Sequence, residues 1–350
     1  MSGPDYSVVI PTVGRASLRT LLDALAAAEG PAPREIVVVD DRPRPGPLPL
    51  SSVPAVRVLR SGGRGPAAAR NTGWRAVTTE WVAFLDDDVL TGARWPAQLH
   101  ADLAGLDPDV GGSQALIEVP LPADRPPTDH ERGIAGLATA RWITADMAYR
   151  HSVLQRVGGF DERFPRAFRE DADLALRVAD AGYRLVVGQR RTTHPVRPAG
   201  FLASVRAQAG NADNALMRRR YGQSWRARIG EGPGRLRQHA LTTAAGLVAA
   251  FAVGRRRRFT RLGSVAAILW AALTAEFALR RILPGPHTAG EITKMVLTSF
   301  AIPPVACAYR LAGELRWRAA SPLRQPERDH ADAELGYSAD VSRRGRAPLP

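Results

Sequence analysis

Residues 81–89 read Trp-Val-Ala-Phe-Leu-Asp-Asp-Asp-Val and place three carboxylates directly after an apolar, strand-like segment. Neighbouring like charges repel each other unless a cation neutralises them, so packing gives no reason for this run. Hard divalent cations such as Mn²⁺ and Mg²⁺ bind carboxylate oxygens together with phosphate oxygens of a ligand. The run therefore predicts a metal site that receives a nucleoside diphosphate. An acidic turn after a strand is the plainer alternative.

The rest of the first half alternates short apolar runs with amphipathic stretches, which is typical of strands joined by helices in a parallel sheet. Predicted strands cover residues 8–11, 35–39, 56–59, 81–85 and 183–187, and predicted helices cover 18–25, 67–77, 152–157 and 171–181. Open α/β sheets bind ligands at the carboxyl ends of their strands. We therefore expect an α/β fold with a mostly parallel central sheet and a site on that edge, and proline-rich loops at residues 43–54 and 119–129.

Charge is distributed unevenly along the chain. Residues 1–200 contain 24 arginines and 24 acidic residues, whereas residues 201–350 contain 24 basic and 10 acidic residues, so the formal net charge of +14 lies in the second part. An anionic membrane surface explains this excess. We expect no nucleic-acid partner, because the chain shows no zinc-ligand pairs, no helix-turn-helix pattern and few aromatic residues among the arginines.

Three apolar segments with arginines at their ends follow residue 230, at residues 240–253, 262–279 and 295–309. We expect none of them to span a membrane, because the first is shorter than the roughly 20 residues a span needs, the second contains Glu276, and Pro303-Pro304 breaks the third. Helices in the membrane interface fit better, with a soluble helical subdomain as the alternative. We predict an α/β domain over residues 1–230, an α-helical membrane-associated region over 231–318 and a disordered tail over 319–350.

The cysteine content and the N-terminus indicate a location. Cys307 is the only cysteine, so no intrachain disulfide can form. The first apolar run begins at about residue 6, which leaves no room for a signal peptide. We expect the chain in the cytoplasm, at the inner face of the cell membrane.

Six strings in the first 195 residues carry a family resemblance. They are VVIPTVGR, EIVVVDDR, GPAAARNTGW, FLDDDV, VLQRVGGFDE and FREDADLALRVADAGYRL. In this order and spacing the chain resembles the family 2 glycosyltransferases with the GT-A fold, from about residue 6 to 195. The resemblance implies a nucleotide-sugar-binding α/β domain, followed here by an α-helical C-terminal region.

The resemblance also implies a set of nucleotide-sugar-binding residues. They are Pro11, Thr12, Arg15, Asp40, Asp41, Gly65, Arg70, Asn71, Asp86, Asp87 and Asp146. Asp41 matches the acid that accepts a hydrogen bond from the base, and a carboxylate accepts equally from uracil or guanine, although we expect a UDP-sugar donor. Asp40 beside it can instead cap the following turn. Asp146 can bind a sugar hydroxyl or cap a helix.

Metal and catalytic residues follow from the same resemblance. Asp86-Asp87-Asp88 matches the family's D-x-D element, which makes Asp88 and Asp86 expected ligands of Mn²⁺ or Mg²⁺, and His194 either joins them or is structural. Asp171, next to Glu170, matches the general base that takes the proton of the acceptor hydroxyl, with first-turn helix acids as the alternative reading. We expect the helix N-terminus to lower the pKa of Asp171 and keep it ionised.

The sequence therefore predicts a metal-dependent inverting glycosyltransferase. It would move a sugar from a nucleotide diphosphate sugar to a glycan or lipid-linked acceptor in cell-envelope glycan or glycolipid synthesis. A soluble transferase acting on a small molecule and a non-catalytic membrane-bound scaffold of the same fold remain alternatives. A dinucleotide-dependent oxidoreductase is set aside, because residues 11–15, Pro-Thr-Val-Gly-Arg, lack the G-x-G-x-x-G turn.

Overall fold

An eight-stranded sheet organises the chain in the computed structural model, which describes residues 3–50, 56–254 and 260–318. The strands are β1 (Tyr6–Thr12), β2 (Ile36–Asp40), β3 (Val56–Arg60), β4 (Trp81–Leu85), β5 (Leu90–Thr91), β6 (Val110–Glu118), β7 (Asp146–Arg150) and β8 (Arg184–Thr193), in the spatial order β3-β2-β1-β4-β7-β6-β8-β5. The first four are mutually parallel and β6 is parallel to β8, whereas β7 and β5 run antiparallel to their neighbours. The expected mostly parallel α/β sheet is confirmed.

Helices cover both faces of this sheet. They are α1 (Ser17–Ala26), α2 (Pro66–Trp74), α3 (Trp95–Leu103), α4 (Asp129–Ala135), α5 (His151–Val157) and α6 (Glu170–Asp180). Successive β1 side chains point to opposite faces, so Val8 belongs to the apolar cluster that includes α1 and α3, and Val9 to the cluster that includes α2, α5 and α6. Leu18 and Leu22, one turn apart on α1, are fully buried. Each such leucine contributes about 1.5–3 kcal/mol through burial.

The described residues after 202 are mainly helical, with α7 (Ala203–Arg206), α8 (Gly210–Tyr221), α9 (Trp225–Arg228), α10 (Leu236–Gly254), α11 (Thr260–Ile282) and α12 (Ala289–Arg316). A third apolar cluster joins Leu176 of α6 to Leu216 of α8 and Trp225 of α9. Helix α12 packs against α7, α8, α10 and α11. The C-terminal helices are therefore attached to the side of the domain on which α6 lies.

Helix α12 overturns one expectation from the sequence. Pro303 and Pro304 lie inside the continuous helix, so the prediction that they break it is wrong. Each proline removes one backbone N–H donor, but Ser299, Ile302 and Ala306 on the same helix are buried against neighbouring elements. Packing along this face holds the helix together across the two prolines.

Within the described residues, Arg261–Ile282 and Ala289–Arg316 are long and apolar enough to cross a membrane by length and composition alone. In the most apolar window of each, 22% and 33% of the residues are buried within the chain. We expected Glu276 and the proline pair to exclude these two segments as membrane spans. Their length and composition do not support that expectation. The predicted disordered tail lies outside the described residues.

Candidate active site

A cavity of about 460 Å³ opens where β1 and β4 end and α6 begins. Most of the residues that the sequence nominated line it together: Pro11, Thr12, Arg15, Asp41, Arg70, Asp86, Asp87, Asp88, Glu170, Asp171 and His194. They lie on or shortly after the first, second, fourth and eighth strands and on the second and sixth helices. The carboxyl ends of neighbouring strands meet at one edge of the sheet, which explains why distant motifs converge here.

Three side chains form a potential metal-binding group. Asp86, Asp88 and His194 each offer a ligand atom, and these atoms lie within 4.8 Å of one another. The backbone N–H of His194, directly after β8, donates to the carbonyl of Glu118 at the end of β6 at 2.8 Å, and its Nε2 lies 3.8 Å from Asp88 Oδ1. Its Nδ1 is buried and has no hydrogen-bond partner among the described residues. Two carboxylates and an imidazole form a donor set that fits Mn²⁺.

Asp87, between Asp86 and Asp88 in the sequence, is held by two protein side chains. Its Oδ2 accepts a hydrogen bond from Thr12 Oγ1 at 2.5 Å, and its Oδ1 forms an ion pair with Arg15 Nη1 at 2.5 Å. The Asp87 side chain is 1% exposed. This carboxylate therefore joins the end of β4 to the end of β1.

Arg70 connects the metal-binding group to the acids of α6. Its guanidinium is buried and pairs with Asp86 Oδ1 at 2.7 Å and with Glu170 Oε1 at 2.9 Å. Glu170 Oε2 is buried without a partner among the described residues, and Asp171 Oδ1 accepts the backbone N–H of Ala172 at 2.7 Å. One buried cation is thus surrounded by more than one carboxylate.

The two acids at the start of α6, Glu170 and Asp171, both have raised pKa values. Burial, and then the charge of Asp171, raises the pKa of Glu170 to about 8. Burial also raises the pKa of Asp171, against the opposing effects of the Ala172 N–H, Arg70 and Arg169. The expectation that the helix N-terminus lowers the pKa of Asp171 is wrong, because the loss of water outweighs the backbone hydrogen bond.

Asp41 lines the cavity and also shapes its rim. Its carboxylate accepts hydrogen bonds from Ser61 Oγ at 2.6 Å and from the backbone N–H of Gly65 at 3.0 Å. Gly65 itself lies outside the cavity lining, at φ +99°, and a Cβ at this position would lie 2.7 Å from the Pro165 carbonyl oxygen. A side chain cannot be accommodated there without moving the backbone.

Three other nominated residues also lie outside the cavity lining, and each is engaged by the protein. Asp40 accepts two hydrogen bonds from the Arg42 guanidinium at 2.8 Å, and this partner holds the pKa of Asp40 below its usual value. The Asn71 amide donates to the Phe160 carbonyl and accepts the Phe160 N–H, both at 2.9 Å. Asp146 is fully buried and accepts from Trp95, Arg190 and Thr192.

The cavity also has walls that the sequence did not point to. Arg197, three residues after His194, forms an ion pair with Asp88 at 2.8 Å. Ile134, Leu137 and Ile143 supply an apolar wall. Arginine is so common in this chain that nothing in the sequence distinguishes Arg197, and the apolar wall lies near no recognisable motif.

Residues 7–114 match the model of glycosyl transferase family 2. A pre-mycofactocin glycosyltransferase of Mycobacterium tuberculosis (strain H37Rv) is 35% identical over 208 residues, which cover 53% of this chain and 42% of that protein. Glycosyltransferase AglE of Haloferax volcanii is 25% identical over 225 residues, covering 59% of this chain and 72% of that protein. The chain thus spans less than half the length of the mycobacterial relative.

The fold has a counterpart among solved structures. The mannosyltransferase PcManGT from Pyrobaculum calidifontis, in complex with GDP-Man and Mn²⁺, superposes with a TM-score of 0.51 at 22% identity, covering 89% of this chain and 88% of that one. This likeness supports the GT-A architecture of the sheet and its helices. The sequence similarity to glycosyl transferase family 2 lies in residues 7–114, and the likeness to the mannosyltransferase is one of fold.

Proposed function

We propose that this chain transfers a sugar from a nucleotide diphosphate sugar to an acceptor hydroxyl, with inversion at the anomeric carbon and a divalent cation as cofactor. One observation carries the proposal: the Asp86, Asp88 and His194 group lies in the same cavity as Glu170 and Asp171. A metal-binding group can stabilise a departing diphosphate, and a nearby carboxylate can take the proton of the acceptor hydroxyl, which together suit a direct displacement.

The cofactor we propose is Mn²⁺, with Mg²⁺ as the alternative. Asp86, Asp88 and His194 would hold it, and an imidazole nitrogen in the donor set favours Mn²⁺ over the oxygen-preferring Mg²⁺. When bound, a divalent cation stabilises the negative charge that builds up on a departing diphosphate. Arg197, paired with Asp88 and half exposed, is placed to exchange this carboxylate for phosphate oxygens.

Asp171 is the general base in this proposal. The acceptor hydroxyl must lose its proton as it attacks the anomeric carbon, and a carboxylate with a raised pKa is a better proton acceptor than an ordinary one. Asp171 and Glu170 both line the cavity, and Glu170 is paired with Arg70. The positive charge of Arg70, which is paired with Glu170, then stabilises the ionised form of Asp171.

The nucleotide would lie along the ends of β1 and β2, against Pro11, Thr12 and Asp41. A UDP-sugar is the first donor to test. The mannosyltransferase of similar fold was solved with GDP-Man and Mn²⁺, so GDP-mannose belongs in the same panel. Both donors carry a base whose N–H groups can donate a hydrogen bond to a carboxylate.

The acceptor we propose is a glycan or a lipid-linked molecule at the inner face of the membrane. Supporting it are the basic second part of the chain and the exposed apolar side chains of α11, among them Leu262, Val265 and Ile268. A role in cell-envelope glycan or glycolipid synthesis follows from that placement. A soluble transferase with a small acceptor is the alternative.

The test is release of nucleoside diphosphate from UDP-glucose, UDP-galactose, UDP-N-acetylglucosamine and GDP-mannose, with Mn²⁺, Mg²⁺ or EDTA. We expect metal-dependent turnover of one donor, and a loss of about 100-fold or more in Asp171→Asn because the base is removed. Asp180→Asn, on the last turn of the same helix, is the matched control and should retain activity. Binding of a donor without turnover by the wild type would favour the non-catalytic scaffold instead.

A further inference from the structure

The residue directly before the α6 acids has an unusual backbone conformation. Arg169 lies at φ +82° and ψ −16°, in the left-handed region. Among the described residues only Trp142 and Arg169 are non-glycine residues with positive φ. The left-handed region costs a residue with a Cβ about 1–2 kcal/mol, so the surrounding structure must hold Arg169 in it.

The Arg169 side chain is held from several directions. Nε donates to Asn214 Oδ1 at 2.9 Å, and both terminal nitrogens pair with the Glu231 carboxylate, Nη2 at 2.8 Å from Oε2. The guanidinium carbon lies 4.3 Å from the ring centroid of Phe168 and 4.7 Å from that of Trp225. The Arg169 side chain is 9% exposed, whereas that of Glu231 is 39% exposed. We call these contacts of Arg169 with Asn214, Trp225 and Glu231 the Arg169 clamp.

The backbone at Arg169 determines where α6 starts. The Arg169 carbonyl accepts the N–H of Asp173 at 2.9 Å, one of the first hydrogen bonds of the helix. Glu170 and Asp171 lie between these two residues, so a rotation at Arg169 moves both carboxyl groups relative to the cavity. The positive charge of Arg169 also lowers the pKa of Asp171, against the larger effect of burial, which raises it.

We propose that Arg169 is a positioning residue, whose clamp holds the left-handed backbone that places Asp171 in the cavity. The inference rests on the proposed function, since the position of a base matters only if the chain catalyses transfer. It extends the catalytic machinery to α8 and to the segment after α9, well beyond the residues that match the family model.

The test compares Arg169→Ala, Arg169→Gly and Glu231→Gln on whichever of UDP-glucose and GDP-mannose the wild type hydrolyses with Mn²⁺. In Arg169→Ala the steric cost of positive φ remains but the clamp that offsets it is lost, so the backbone is expected to relax and displace Asp171. Glycine also loses the clamp but adopts positive φ at no steric cost. We expect kcat to fall about tenfold or more in Arg169→Ala, with the donor KM changed less than about twofold, because a displaced base affects chemistry and not binding. Arg169→Gly should retain a higher kcat than Arg169→Ala, although glycine is the smaller residue.

The matched control is Arg184→Ala. Arg184 lies at the exposed start of β8, and two of its guanidinium nitrogens pair with the Asp109 carboxylate. Its kcat should equal that of the wild type. Equal kcat in Arg169→Ala and the wild type, or a higher kcat in Arg169→Ala than in Arg169→Gly, would overturn the inference. Glu231→Gln keeps the arginine and should show a smaller fall in kcat at unchanged KM, even if Arg169→Ala folds poorly. A wild type that hydrolyses no donor contradicts the proposed function itself.

Discussion

The three consecutive aspartates after β4 have three different environments. Asp87 is engaged by Thr12 and Arg15, Asp86 pairs with the buried Arg70, and Asp88 pairs with Arg197. The sequence pattern predicts that carboxylates gather here, because adjacent like charges need a cation. It does not predict which of the three anchors the strand, because Thr12 lies 75 residues away.

The same limit applies to other nominated residues. Asp146 and Asn71 have the residue types of ligand-binding groups, but Arg190 and Phe160, which are distant in sequence, occupy their polar atoms. A local motif reports which chemistry is available, while long-range partners decide which groups face the cavity. Arg197 shows the converse, since it reaches Asp88 without any local signal.

A pH-dependent stability is expected from Glu170. Its pKa is raised from 4.5 to about 8, so the folded protein keeps a proton that the unfolded chain loses above about 4.5. Stability should therefore fall as the pH rises from about 4.5 to about 8. Glu170→Gln carries no such proton, so in EDTA the melting temperature of the wild type should drop relative to this variant between about pH 5 and pH 8.

The control for this prediction is Glu80→Gln, which changes a carboxyl that is half exposed. Its melting temperature should follow that of the wild type across the same pH range. A constant difference between the wild type and Glu170→Gln would mean that Glu170 is ionised throughout, with Arg70 outweighing its burial.

At the scale of elements, continuous apolar runs predict strands well. β4 spans the residues expected from the sequence, and β1 and β2 differ from prediction by one or two residues at their ends. β6 was not predicted, because its run Val110-Gly-Gly-Ser-Gln lacks the apolar character of the others and depends on pairing with β7 and β8. Tertiary packing likewise keeps α12 continuous across Pro303 and Pro304.

The contact between α8 and α12 depends on one glycine. A Cβ at Gly313 would lie 2.7 Å from the backbone of Ala212 and 2.9 Å from the Ala215 Cβ. We expect Gly313→Val to destabilise the protein by about 1–3 kcal/mol, because the two backbones must separate. Chemical denaturation measures the change.

Gly290 provides the comparison on the same helix. A Cβ there meets nothing within 4 Å, so Gly290→Ala should leave stability unchanged or raise it slightly. If Gly313→Val were as stable as Gly290→Ala, α12 would not pack on α8 as described.

For the whole molecule, charge and exposed apolar surface coincide in the C-terminal part. The first 200 residues carry no net charge, and the exposed apolar side chains of α10–α12 lie in the part that holds the whole excess of +14. Soluble surfaces seldom gather large apolar side chains together, so such a region indicates contact with a membrane or another protein. Composition predicted this asymmetry, whereas the lengths of α11 and α12 came only from the structure.

Membrane binding is therefore expected to depend on both features. The protein should sediment with phosphatidylglycerol vesicles at about 50 mM salt and bind less at about 500 mM, because salt screens the attraction to anionic lipid. Ile268→Glu, at a side chain that is 70% exposed on α11, should weaken binding further. Val58→Glu, on the exposed face of β3, serves as the control and should bind like the wild type. Equal recovery in the supernatant with and without vesicles would favour the soluble alternative.

The most direct test of the metal–nucleotide site is calorimetry of UDP and GDP binding with Mn²⁺ or with EDTA, for the wild type and Asp88→Asn. It needs neither the acceptor nor the donor sugar. We predict that one nucleotide binds the wild type with Mn²⁺ at least tenfold more tightly than in EDTA, and that Asp88→Asn abolishes the difference by removing a ligand of the ion. Binding that is equal with and without Mn²⁺, or no binding of either nucleotide, would contradict the assignment of this cavity.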